Sequence, residues 1–211
     1  MKTKIKIGSL FAGVGGIELG FLSDERSEIS WAVEHDKYAQ TTYKENFNHT
    51  LIEEDIEKVK GSSLSNVDIL TAGFPCQAFS IGGYQKGFTD PRGNLFFEII
   101  RIINELSKRP KVLFLENVKN LRTHDNKKTY KIIHQCLESL GYCVFTETLN
   151  TSTYTQIPQN RERTFIICFL EGKHAFMDPS KPMSTYFQKI FPPKKRTNKL
   201  KDISYFLERN E

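Results

Sequence analysis

The chain has 211 residues, enough for one substantial domain and part of a second. Hydrophobic residues make up 38% and charged residues 26%, which excludes an intrinsically disordered chain, and no apolar run nears the ~20 residues that span a bilayer. A formal net charge of +5 permits a nucleic-acid partner without requiring one.

The start, Met1-Lys2-Thr3-Lys4, is basic but no apolar stretch of the secretory kind follows it. Residues 4–11 alternate charged and aliphatic side chains and then turn apolar, which predicts a first strand. Ala12-Gly13-Val14-Gly15-Gly16 breaks it, and residues 17–21 read as a helix. Residues 29–33 are a second strand ending at Glu34. Asp36 can cap a helix over 37–46, because its carboxylate can accept from the free amides of the first turn. Residues 51–60 read as acidic surface sequence, and 67–71 as a strand. A glycine-rich loop, 82–93, follows Cys76. Over 94–107 the apolar residues Leu95, Ile99, Ile102, Ile103 and Leu106 recur at helical spacing.

Residues 112–115 predict a further strand, followed by a turn at Glu116-Asn117-Val118. A helix over 129–140 should stop at Gly141. The last strands are 143–149 and 164–170, which can pair antiparallel because no good helix separates them. The alternation predicts an α/β fold: a doubly wound, mostly parallel sheet with helices on both faces and an antiparallel strand at the end. Beyond residue 172 the pattern decays into a linker with a basic run, Lys194-Lys195-Arg196.

In an open sheet of this type, ligands sit at the carboxyl ends of the strands. The unusual residues fall there. The turn at Gly13, Gly15 and Gly16 allows backbone to approach a ligand, although it is not the GxGxxG dinucleotide fingerprint and a ligand-free turn would look the same. Glu34 ends the second strand, where an acid can accept from ribose hydroxyls. Asp55 and Ile56 are weaker candidates. Cys76, in Gly73-Phe74-Pro75-Cys76-Gln77, sits where the chain must leave the sheet, which suits a nucleophile. Glu116 ends an apolar strand, and such an acid needs a partner. Arg161 and Arg163, two apart in an extended segment, point the same way and can clamp a phosphate or brace a carboxylate. Cys136, Cys143 and Cys168 read as separate reduced thiols, the four cysteines have no CxxC or zinc spacing, and no metal is expected. A cytoplasmic protein is the expectation.

Together these segments resemble the DNA cytosine-5 methyltransferases of bacterial restriction-modification type. The resemblance rests on Ser9-Leu10-Phe11-Ala12-Gly13-Val14-Gly15-Gly16, Glu34, Asp55-Ile56, Gly73-Phe74-Pro75-Cys76-Gln77-Ala78-Phe79-Ser80, Arg92-Gly93-Asn94-Leu95-Phe96-Phe97, Glu116-Asn117-Val118 and Gln159-Asn160-Arg161-Glu162-Arg163. They keep the family's order over residues 4 to about 170.

The resemblance implies a Rossmann-like domain, 1–175, that binds S-adenosylmethionine through Phe11, Ala12, Gly13, Gly15, Gly16, Glu34, His35, Asp55, Ile56, Phe74, Pro75 and Leu95. Glu34 would hold the ribose and Asp55 the adenine amino group. His35 stands where many members carry a large aromatic. Cys76 would add to C6 of a cytosine extruded from double-stranded DNA, with Glu116 on its N3 edge and Arg161 and Arg163 orienting both. Residues 176–211 would then be a linker toward a recognition region and C-terminal motifs that this sequence lacks. The chain would then be either a subunit of a split enzyme, with a second polypeptide as the source of these, or a truncated form, and apolar surface near Phe11 and Ile17 should lie uncovered. The alternative is an inactive S-adenosylmethionine-binding remnant or partner-binding module. Methylation of tRNA by a related enzyme ranks lower.

Overall fold

A computed structural model of the chain describes residues 4–75, 95–171, and, beyond them, Tyr186, Ile190 and Phe191. Cys76, the loop 82–93 and most of the expected linker lie outside these residues. The described chain forms strands β1 (Ile5–Leu10), β2 (Ser27–Val33), β3 (Leu51–Ile52), β4 (Ile69–Gly73), β5 (Val112–Val118), β6 (Tyr142–Asn150) and β7 (Glu162–Leu170). The helices are α1 (Gly16–Leu22), α2 (Lys37–Asn46), α3 (Leu95–Glu105), α4 (Lys128–Ser139) and the single turn α5 (Thr151–Tyr154).

All seven strands form one sheet in the order β3-β2-β1-β4-β5-β7-β6. The chain winds outward from β1 to β3, then returns to place β4 against the other side of β1. This reversal opens a crevice at the carboxyl ends of β1 and β4. The pairs joining β1 to β5 are parallel, and β7 runs antiparallel to both β5 and β6. The antiparallel strand is therefore one place in from the edge.

Helix α3 shows why these residues adopt this structure. Its four isoleucines and two phenylalanines each sit up to ~0.7 kcal/mol below alanine in helix propensity. Phe96, Ile99, Ile100, Ile102 and Ile103 are buried along one side, and burying each stabilises by ~1.5–3 kcal/mol. Packing decides the outcome. These side chains join Leu70, Ala72, Leu113 and Leu115 of the sheet and Ile133 and Leu137 of α4 in the main core. On the opposite face, Phe145 is buried with Tyr186 and Phe191.

The expected caps are present. The Asp36 carboxylate accepts from the amides of Tyr38 and Ala39 at 3.0 and 2.8 Å. Gly141, with φ of 83°, stops α4 and donates its amide to the Glu138 carbonyl. One expectation needs correction. Glu116, Asn117 and Val118 are not a turn after β5 but its last three residues, because β7 pairs with β5 as far as Arg163.

Candidate active site

Five consecutive strand ends and the start of β7 supply the candidate residues. After β1 the chain bends sharply: Phe11, Gly13 and Gly15 all have left-handed backbone, with φ of 55°, 57° and 93°. Glycine adopts this conformation freely, but a bulky residue such as Phe11 does so at a cost of ~1–3 kcal/mol, and such strain collects at functional sites. Gly15 is constrained twice, since a Cβ there would also overlap the Phe47 ring.

The turn is held by Glu34. Its carboxylate, 7% exposed, accepts from the amide of Gly13 through Oε2 at 2.7 Å, and from those of His35 and Asp36 through Oε1 at 2.9 and 2.8 Å. A carboxylate offers about four acceptor positions. Three are filled, so Oε2 keeps one for a further donor. A Cβ at Gly13 or Gly16 would meet nothing within 4 Å, so space lies open over the turn. His35 is exposed, with Nδ1 3.4 Å from Glu34 Oε1.

Asp55 and Ile56 follow β3. Asp55 caps a short 3-10 turn, its Oδ1 accepting from the Glu57 amide at 3.0 Å, while Ile56 is buried in the main core and Leu95 packs against that core. Residues 51–60, read from sequence as acidic surface, thus contribute a strand and a buried anchor. Phe74 is buried with its ring 5.8 Å from that of Phe96, and Pro75 is exposed.

Glu116 lies in β5 between Gly73 of β4 and Phe165 of β7. Its carboxylate is 20% exposed and faces two guanidinium groups: Arg163 Nε at 3.1 Å and Arg161 NH2 at 3.7 Å, both toward Oε1. The i and i+2 spacing of the arginines does place them on the same partner. A cleft of about 800 Å³ is lined by Glu116, Arg161 and Arg163 together with Ala12, Gly16 and Ile17. Val14 of the glycine turn and Leu19 of α1 are 56% and 65% exposed.

Asn117 is a residue that sequence reasoning left without a role. Buried to 2% exposure, it donates from Nδ2 to the Phe74 carbonyl at 2.9 Å, tying the end of β5 to the point where the chain leaves β4. An amide beside an acid in an otherwise apolar strand was the available signal. Among the described residues no three His, Cys, Asp or Glu side chains gather as a metal site, and no helix is long and apolar enough to cross a membrane. Cys168 is fully buried, and burial pushes its thiol well above the ordinary range.

A mostly parallel seven-stranded α/β sheet, with one antiparallel strand and its polar groups along the carboxyl edge, has the architecture of S-adenosylmethionine-dependent methyltransferases. The Dnmt2 methyltransferase of S. pombe superposes on 99% of this chain and 61% of its own with a TM-score of 0.73 at 19% identity, a likeness of fold. The sequence model of the C-5 cytosine-specific DNA methylase family matches residues 5–210, and the chain belongs to that family. It is 49% identical over 171 residues to the type II methyltransferase M.Bsp6I of Bacillus sp. (strain RFL6), covering 81% of this chain and 54% of that protein. It is 47% identical over 167 residues to the type II methyltransferase M.HhaI of Haemophilus parahaemolyticus, covering 79% of this chain and 50% of that protein. The chain spans about half the length of the curated relatives it matches. Family and fold imply use of S-adenosylmethionine.

Proposed function

We propose that this chain carries the catalytic half of a DNA cytosine-5 methyltransferase. The observation that supports this most is the Glu116 carboxylate, paired with Arg161 and Arg163 in a cleft that the glycine turn also lines. S-adenosylmethionine fits the residues present. The spare acceptor position on Glu34 suits a ribose hydroxyl, the open space over Gly13 and Gly16 suits close backbone approach, Asp55, Ile56, Phe74 and Pro75 follow the ends of β3 and β4, and Leu95 begins α3. When bound, it supplies an electrophilic methyl group.

The chain's own residues do the rest. A cytosine swung out of double-stranded DNA presents its ring edge to Glu116, held by Arg163 and Arg161. The Cys76 thiolate adds through Sγ to C6 and breaks the C5–C6 double bond, N3 taking a proton on the edge that Glu116 holds, and this makes C5 nucleophilic. C5 would then take the methyl group that S-adenosylmethionine supplies, leaving S-adenosylhomocysteine. Loss of the C5 proton to a base re-forms the double bond and expels the Cys76 thiolate, and N3 gives up its proton. Covalent addition divides one difficult step into easier ones. Asn117 keeps the segment leading to Cys76 in register with Glu116.

Sequence selectivity requires side chains that read base edges in a groove. We assign these to a recognition region outside the described residues, and the exposed apolar residues Val14 and Leu19 support a surface that such a region covers. The test uses duplex DNA containing 5-fluorocytosine, S-adenosylmethionine, this chain, and a polypeptide carrying the recognition region. A fluorine at C5 cannot leave as a proton, so the expected result is a denaturant-stable adduct mapped to Cys76 and absent from Cys76→Ser. Cofactor binding without any adduct in the complemented mixture would overturn the mechanism.

A further inference from the structure

The stretch between β3 and β4 has almost no strand pairing, so its backbone groups need other partners. They find them on α3. The Arg101 guanidinium donates to the carbonyl of Ile56 from NH2 at 2.7 Å and to that of Val59 from NH1 at 2.9 Å. Glu98 and Glu105, three residues before and four after on the same helix side, hold the guanidinium in place. Nε donates to Glu98 Oε2 at 2.7 Å, and NH1 to both oxygens of Glu105 at 3.0 and 2.9 Å. Glu105 Oε2 in turn accepts the Gly61 amide at 2.7 Å. A Cβ at Gly61 would come within 2.7 Å of the Glu105 Cβ and 2.9 Å of the Ile102 carbonyl, so the turn meets the helix at backbone distance. Three backbone groups of one segment are thus fixed by one ionic array.

We propose that Arg101 is a positioning residue that sets where Asp55 and Ile56 stand in the cofactor site, by gripping the carbonyl of Ile56 itself. The proposal rests on the reading of Asp55 as the adenine contact. The same helix begins with Leu95, so Arg101 couples two parts of the adenine end through one rigid element. Only a planar fork can serve two carbonyls and two carboxylates at once. A lysine ammonium has three donors and no fixed plane. Burial alone would lower the guanidinium's pKa, but Glu105 and Glu98 outweigh it and raise it, so the array stays charged.

The experiment compares binding of S-adenosylhomocysteine with that of its inosine analogue, which lacks the adenine amino group, to the full chain by calorimetry. The unaltered chain is expected to prefer adenine by about tenfold or more, the value of one charge-assisted contact. In Arg101→Lys the ratio should fall to within about threefold, because Asp55 is no longer held at its contact distance. Partial unfolding lowers both affinities equally and leaves the ratio untouched, so a merely structural role would not move it. Gly61→Ala pushes the same segment off the same helix and should lower the ratio too, which keeps the test valid if Arg101→Lys folds poorly. An unchanged ratio in both variants would overturn the positioning role alone. An unaltered chain that binds both ligands equally, or neither, would overturn the Asp55 reading and the proposal with it.

Discussion

Replacing Glu34 with glutamine probes the join between the first turn and the second strand. Oε1 accepts two amides and Oε2 one. The glutamine carbonyl would keep the two-amide side, leaving its NH2 facing the Gly13 N–H across what is now a 2.7 Å hydrogen bond. Two donors then meet. At 7% exposure, water does not easily replace the lost acceptor. Losing a hydrogen bond to a charged group costs ~1.5–3 kcal/mol. For a domain of this size each kcal/mol shifts Tm by roughly 2–4 °C, so the melting temperature should fall by roughly 3–12 °C. Cofactor affinity should fall with it, because the freed Gly13 no longer fixes the turn. Calorimetry measures both quantities. A Glu34→Gln chain that melts within about a degree of the parent and binds cofactor equally would refute the reasoning.

Gly15→Ala should destabilise by at least ~1–2 kcal/mol in urea unfolding, the left-handed penalty alone, with the Phe47 overlap added. Gly20→Ala, on open helix surface in α1, should instead stabilise by ~0.4–1 kcal/mol, and equal effects at the two sites would contradict the geometry. Glu18 is buried beside Ser9, and neither carboxylate oxygen has a hydrogen bond of good geometry among the described residues. Burial raises its pKa above 4.5, and the neighbouring Glu34 charge adds to the shift. The native state therefore holds this proton more tightly than the unfolded chain, and stability drains away as pH rises from about 4.5. Glu18→Gln should match the parent near pH 4 and exceed it above the ordinary carboxylate pKa of 4.5, whereas parallel stability curves would rule this out.

Much of the fold was legible because its signals are local. The spacing of Ile99, Ile102 and Ile103 marked α3, Asp36 marked the start of α2, and Gly141 marked the end of α4. The absence of a strong helix between β6 and β7 implied their antiparallel pairing. What escaped was set by distant partners. β3 is two residues long and exists through its pairing with Ala32 and Val33. The extension of β5 through Asn117 and Val118 depends on β7, a segment further along the chain. Glu34 was readable as a strand-end acid, but its service to three backbone amides depends on how the glycine turn folds back onto it. Asn117 required knowing that Phe74, just past the end of β4, lies beside the end of β5.

The direction of β7 does more for the site than any single residue. Seven strands could cover the helices equally well if β7 ran parallel to β5, but its first residues would then enter at the amino edge of the sheet. A nine-residue strand at ~3.4 Å per residue spans about 30 Å. Parallel pairing would thus leave Arg161 and Arg163 the full width of the sheet away from Glu116. Reversed, the strand starts at the carboxyl edge, and register alone brings Arg163 opposite Val118 and within 3.1 Å of the carboxylate. The link that makes that reversal, residues 151–161, holds only the single turn α5, whereas a parallel return needs a crossover of a dozen residues or more, usually a full helix. The brief link between β6 and β7 therefore determines that the acid on β5 has its guanidinium partners.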